Sequence, residues 1–166
     1  MGRDDDLAAR ERLSVASDAI VAGVAAHLPS YLASETARVL DAWGRLSAPE
    51  RARVDAELAA AVEAATARVV AGLQSLFGVD PAEQGATPLE LVRGATREPT
   101  DVLRAAGVAP VVRDEFDERH WPDDDYGLTP RAVGDLGDPQ LGPELLAWGL
   151  AKARVLRTRA GDHDRR

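Results

Sequence analysis

Asp114, Asp117, Glu118 and His120 are the residues of this chain whose types and spacing come closest to chemistry. Positions three and four apart share one face of a helix. Three carboxylates and an imidazole on such a face could hold a divalent metal, and a metal-dependent hydrolase or lyase would be the reaction class. The Glu-x-x-His pattern of di-metal bundles, however, needs a second matching pair and two further Glu-bearing helices. His27 stands three residues after Val24, and His163 lies near the C-terminus, so neither supplies that pair. The plainer reading leaves these carboxylates solvated or paired with Arg113, Arg119 and Arg131.

Asp123, Asp124 and Asp125 follow at once. A calcium loop of the EF-hand kind needs acidic groups at its first, third and fifth positions and Glu at its twelfth. Counted from Asp123, Gly127 and Gly134 stand at the fifth and twelfth. An Asp-Asp-x-x-Asp magnesium-diphosphate motif fails as well, closing on Gly127 or Leu128. After Pro122 the aspartates suit a turn, in which they bond their own backbone and Gly127 supplies a positive φ.

Phe116, Trp121 and Tyr126 interleave with these charges. Val111–Pro130 thus holds three of the chain's seven aromatics and one of its three histidines. Such residues in a charged loop are expected to plug into the core, with nearby Asp accepting from the Trp N–H and Tyr O–H. The alternative is a partner-binding face. There one or two of Phe116, Trp121 and Tyr126 stay exposed as anchors, and Asp123, Asp124 and Asp125 form the rim.

Other chemistries find little support. The chain has no cysteine, which removes disulfides, thiolate metal sites and Cys nucleophiles. Its serines lie in no Gly-x-Ser-x-Gly elbow. Its glycines form no phosphate loop. No catalytic residue and no cofactor are assigned. Lys152, Arg154, Arg157 and Arg159, continued by Arg165 and Arg166, form a basic run that suits a helix C-terminus. That run could also fold back on the acidic 114–125 stretch.

The net charge of −8 and pI of about 4.9 disfavour a nucleic-acid surface on the folded body. The N-terminal MGRDDDLAARER is polar and acidic, unlike a secretory leader. Val15–Leu28 is interrupted by Ser17, Asp18 and His27 and is too short for a bilayer. A soluble cytoplasmic protein without membrane association is expected. With few aromatics and much Ala, its core must come from closely approaching helices that bury modest apolar area. Self-association or a protein partner would help such a fold.

Helical periodicity supplies the scaffold. Leu13, Ser17, Ile20, Val24 and Leu28 form a stripe, with Val15, Ala22 and Ala25 predicting a second buried face and Pro29 predicting a stop or kink. A second helix is expected through Leu32, Thr36, Val39, Trp43 and Leu46, loosened at Gly44. Ser47-Ala48-Pro49-Glu50 reads as a capping box. Val54, Leu58, Val62, Ala65, Val69, Leu73 and Leu76 then predict a third helix, about 29 residues and roughly 43 Å long. Gly78 is expected as its left-handed cap, with Val79 folding back.

Thr87-Pro88-Leu89-Glu90 starts a fourth helix that breaks at Glu98-Pro99, and a further turn ends at Gly107. Residues 108–112 read as extended and Asp114–Trp121 as a short helix. Thr129-Pro130 opens a turn, and Asp138-Pro139 opens the last helix, with Leu145, Trp148, Ala151, Lys152 and Val155 on one stripe. The predicted fold is all-α: one domain over 1–166, an antiparallel helical bundle with a long third helix. Its N-terminal helices lie within 7–78 and its second half within 87–157. An irregular Pro/Asp-rich segment packs across it, and 158–166 is a disordered tail. The function that follows is a non-enzymatic protein-interaction or regulatory module, with a homodimer as one form of self-association. The alternatives are the metal enzyme above and a carrier holding an apolar ligand near Trp43 and Trp148.

Overall fold

A computed structural model describes residues 3–43, 45–129 and 131–163, with side chains at 4–42, 45–129 and 131–161. Gly44, Pro130, the Trp43 side chain and residues 164–166 lie outside the described residues, so the expectations placed on them are not addressed. The fold is all-helical. Three long helices, α1 (Arg3–Trp43), α2 (Ala48–Gly78) and α6 (Leu141–His163), carry the core. Three short ones, α3 (Pro88–Ala95), α4 (Glu98–Ala105) and α5 (Glu115–His120), fill the second half, followed by a 3-10 turn at Val133–Leu136. Among the described residues there is no strand.

The first correction is at Pro29, which neither ends nor divides α1; the two predicted helices are one of 41 residues. Proline inside a helix removes a backbone hydrogen bond and costs about 3 kcal/mol. Leu28 and Leu32, on either side, are completely buried. Burying each contributes about 1.5–3 kcal/mol, so packing outweighs the local defect. Tyr31, two residues after Pro29, donates its hydroxyl to the Thr96 carbonyl at 2.7 Å and ties this part of α1 to the end of α3. Burial raises the Tyr31 pKa to about 12, with the Glu35 charge adding to the effect.

Along α1 the expected stripe of Ser17, Ile20, Val24 and Leu28 is buried. The expected second face is not: Val15, Ala22 and Ala25 are exposed. Because α1 runs on past Pro29, it contains an 18-residue window of mean hydropathy 1.3, of which only 22% is buried. By length and composition this helix as a whole is long and apolar enough to cross a membrane, whereas Val15–Leu28 alone is too short.

α2 follows its sequence pattern closely. The Glu50 carboxylate accepts from both the hydroxyl and the backbone N–H of Ser47, and these bonds hold its pKa below the usual range. Val54, Leu58, Val62, Ala65, Leu73 and Leu76 are buried, with Val69 packed against the cluster. The end of α2 differs from expectation. Gly78 remains helical and Val79 is extended and exposed. Val79 N–H donates to Leu76 O at 3.2 Å, and the Gln84 amide adds side-chain bonds to the carbonyls of Leu76 and Val79, at 3.1 and 3.2 Å.

α6 packs antiparallel to α1. Trp148 donates its indole N–H to Ser17 Oγ at 3.1 Å, while Asp138, ahead of α6, abuts Gly23 further along α1. Lys152 donates to Gln84 Oε1 at 2.9 Å and lies 5.2 Å from the Trp148 ring centroid. Arg159 pairs in bidentate fashion with Asp80, at 2.6 and 2.9 Å. That pairing corrects two expectations at once. Residues 158–163 continue α6 where a disordered tail is expected, and Lys152 and Arg159 of the basic run engage the loop after α2, not the acidic 114–125 stretch.

Candidate functional site

The segment between α4 and the 3-10 turn is a loop pinned at its base. Gly107, at φ 73°, ends α4 in the left-handed conformation, and Val108 N–H donates back to Leu103 O at 3.1 Å. Residues 108–112 are then non-helical, as predicted. Val111 N–H donates to Asp125 O at 2.8 Å, and the Tyr126 hydroxyl donates to Val108 O at 2.7 Å. Arg104 closes the same base through Asp125, at 2.6 Å. These bonds join the two ends of the stretch 112–124.

Tyr126 is the plug. Only 1% of it is exposed, and burial first, then the Asp125 charge, raises its pKa. It was a candidate partner-binding residue, and the structure withdraws it from the surface. Asp124 and Asp125 are likewise occupied within the chain. Asp124 Oδ1 accepts from Leu128 N–H at 2.7 Å, and Asp125 serves the base just described. Asp123 alone of the three is exposed and has no such task.

Phe116 and Trp121 do the opposite of plugging: they are 59% and 51% exposed. They sit on and just after α5, whose N-cap is Asp114, accepting from Asp117 N–H at 2.8 Å. No residue of α5 is buried. Phe116 stacks on His120 with ring centroids 3.9 Å apart, and Trp121 meets Phe116 edge-on at 6.1 Å. Arg113 fixes the end of this unit by donating to Trp121 O at 2.6 Å. Val112, 95% exposed, stands beside it in the chain. The outcome is an aromatic head on an anchored loop, in a stretch, 111–125, that carries seven carboxylates and two arginines.

The geometry lends the metal alternative no support. Asp114 is used as a cap, and His120 Nδ1 lies 2.8 Å from Phe116 O with its ring against Phe116. Among the described residues, no three His, Asp or Glu side chains converge on a point that could hold a metal ion. The expected arginine partners are also reassigned: Arg131 pairs with Glu35 of α1 at 3.2 Å, and Arg113 with backbone carbonyls.

The expected ligand pocket is divided. A groove of about 320 Å³ does lie beside Trp148, lined also by Leu13, Phe77 and Val155. Trp148 bonds Ser17, however, and Trp43 is 26 residues further along the same helix, roughly 39 Å away. The groove beside Trp148 thus lies far from the Trp43 backbone.

Sequence reasoning missed a larger groove, of about 590 Å³, between the outer faces of α1 and α6. Its signal was present as Val15, Ala8 and Ala147 on faces not needed for the core stripes. Compared with protein-family models, with curated proteins and with solved structures, the chain matches none.

Proposed function

We propose that this chain is a protein-interaction module that presents the α5 head to a partner protein. One observation carries the reading: Phe116, His120 and Trp121 pack on one another yet remain outside the core, although buried Tyr126 ten residues on from Phe116 follows the ordinary rule. Exposed aromatics held rigid lose little side-chain entropy on binding and are typical anchors at the centre of an interface. Glu115, Glu118 and Asp123 around them are exposed. The complementary surface is an apolar pocket with a basic rim, and association is faster at low salt.

The test places a photo-crosslinking residue at Val112 and, as control, at Glu57 on the solvated face of α2. A protein captured at Val112 and not at Glu57 is purified and its affinity measured. The double variant Phe116→Ala/Trp121→Ala is expected to weaken binding by on the order of 100-fold with unchanged helicity. Equal capture at both positions, or full affinity in the double variant, counts against the reading.

A further inference from the structure

We infer that the groove between α1 and α6 is the interface of a homodimer, a surface separate from the α5 head. Val15 of α1 and Leu150 of α6 line it and are 61% and 59% exposed, with Leu146 exposed next to Leu150 on α6. Four charges rim it: Glu11 and Arg12 on α1, Glu144 and Arg154 on α6. Among the described residues none of the four has an ion-pair partner within the chain.

The occupant follows from that charge pattern. The whole chain carries −8, so two copies repel each other over most of their surfaces. The groove rim carries two charges of each sign and is neutral. In a two-fold interface residue i meets j and j meets i, so a face is its own complement when opposite charges lie at equal distances on either side of the axis. Glu144 and Arg154 are ten residues apart on α6, about 15 Å. Two α6 helices crossing antiparallel near Leu150 therefore place Glu144 of each copy opposite Arg154 of the other, with the leucines between them. A lipid bilayer suits α1 in apolarity, but it would have to bury all four rim charges without partners, which is costly.

Sedimentation equilibrium of the full chain tests this. The wild type is expected at twice 17.6 kDa. Leu150→Glu, at an exposed position, is expected to give a folded monomer by circular dichroism. Glu144→Arg and Arg154→Glu are each expected to weaken the dimer at least about tenfold, through like charges facing across the axis. Mixed one to one, these two single variants are expected to form a heterodimer, since each then carries the charges the other lacks. A wild type still monomeric at about 1 mM overturns the inference. So does a dimer untouched by Leu150→Glu, or one lost through Phe116→Ala instead. A monomer that co-floats with phosphatidylcholine vesicles overturns it in favour of a membrane surface.

Discussion

Replacing Gly23 by Ala should destabilise the protein, although Ala is the better helix former. In an open helical position the exchange stabilises by about 0.5–1 kcal/mol. Gly72 in α2 is such a position, with nothing within 4 Å of an added Cβ. At Gly23 the Cβ would overlap the carboxylate of Asp138. That carboxylate is nearly buried, lies 3.8 Å from His27 Nδ1, and accepts from Gln140 N–H at 2.9 Å in the turn leading into α6. Swinging it aside forfeits about 1 kcal/mol of hydrogen bonding and repacks the α1–α6 contact at about 1–3 kcal/mol. Against the propensity gain, the net cost is about 1–3 kcal/mol. Urea titration at 25 °C would show the midpoint of Gly23→Ala falling while that of Gly72→Ala rises, at constant slope. In an Asp138→Ala background Gly23→Ala should become stabilising, because the overlap is gone. If Gly23→Ala raised the midpoint with Asp138 intact, the close approach of α6 to α1 described above would be wrong.

Pro29→Ala restores the missing helix N–H and should stabilise by about 1–3 kcal/mol, read as a higher denaturation midpoint; a lower one would mean that the proline shapes α1. Tyr126→Phe leaves Val108 O without its donor and should cost about 1–2 kcal/mol. Hydrogen exchange at Val111 N–H should quicken with it, and unchanged protection there would show that the loop base does not depend on the phenol. Arg159 and Ala82 hold Asp80 down to about 2, below an unfolded value of about 3.9. The associated stabilisation is complete above about pH 4 and is lost as pH falls toward 2. Carboxyl NMR should find Asp80 titrating higher in Arg159→Met, and an unmoved titration would discount the pair.

Local rules located most of the scaffold. The capping signals at Ser47 and Thr87 and the unbroken stripe from Val54 to Leu76 concern neighbours in sequence, so sequence reveals them. Pro29 misled because its penalty is local while the burial of Leu28 and Leu32 that outweighs it is tertiary. The end of α2 misled for the same reason: Gly78 stays helical, and the Val79 N–H and the Gln84 amide from the next loop take up its carbonyls. Within the acidic segment, residue type could not separate Tyr126 from Phe116 and Trp121. The difference lies in Val108, whose carbonyl gives the tyrosine hydroxyl a partly buried acceptor. Likewise Asp123, Asp124 and Asp125 are identical in chemistry and differ only in which backbone or guanidinium group each meets.

Lys152, held between Gln84 and the face of Trp148, is the chain's one lysine. Apart from the α-amino group, it is therefore the one place where amine-directed reagents, acyl donors or isopeptide-forming enzymes can attach. Its amine is spoken for only while α6 lies against the end of α2. The acylation rate of this single side chain becomes a built-in gauge of that docking, readable by mass alone in a protein that needs no engineered label.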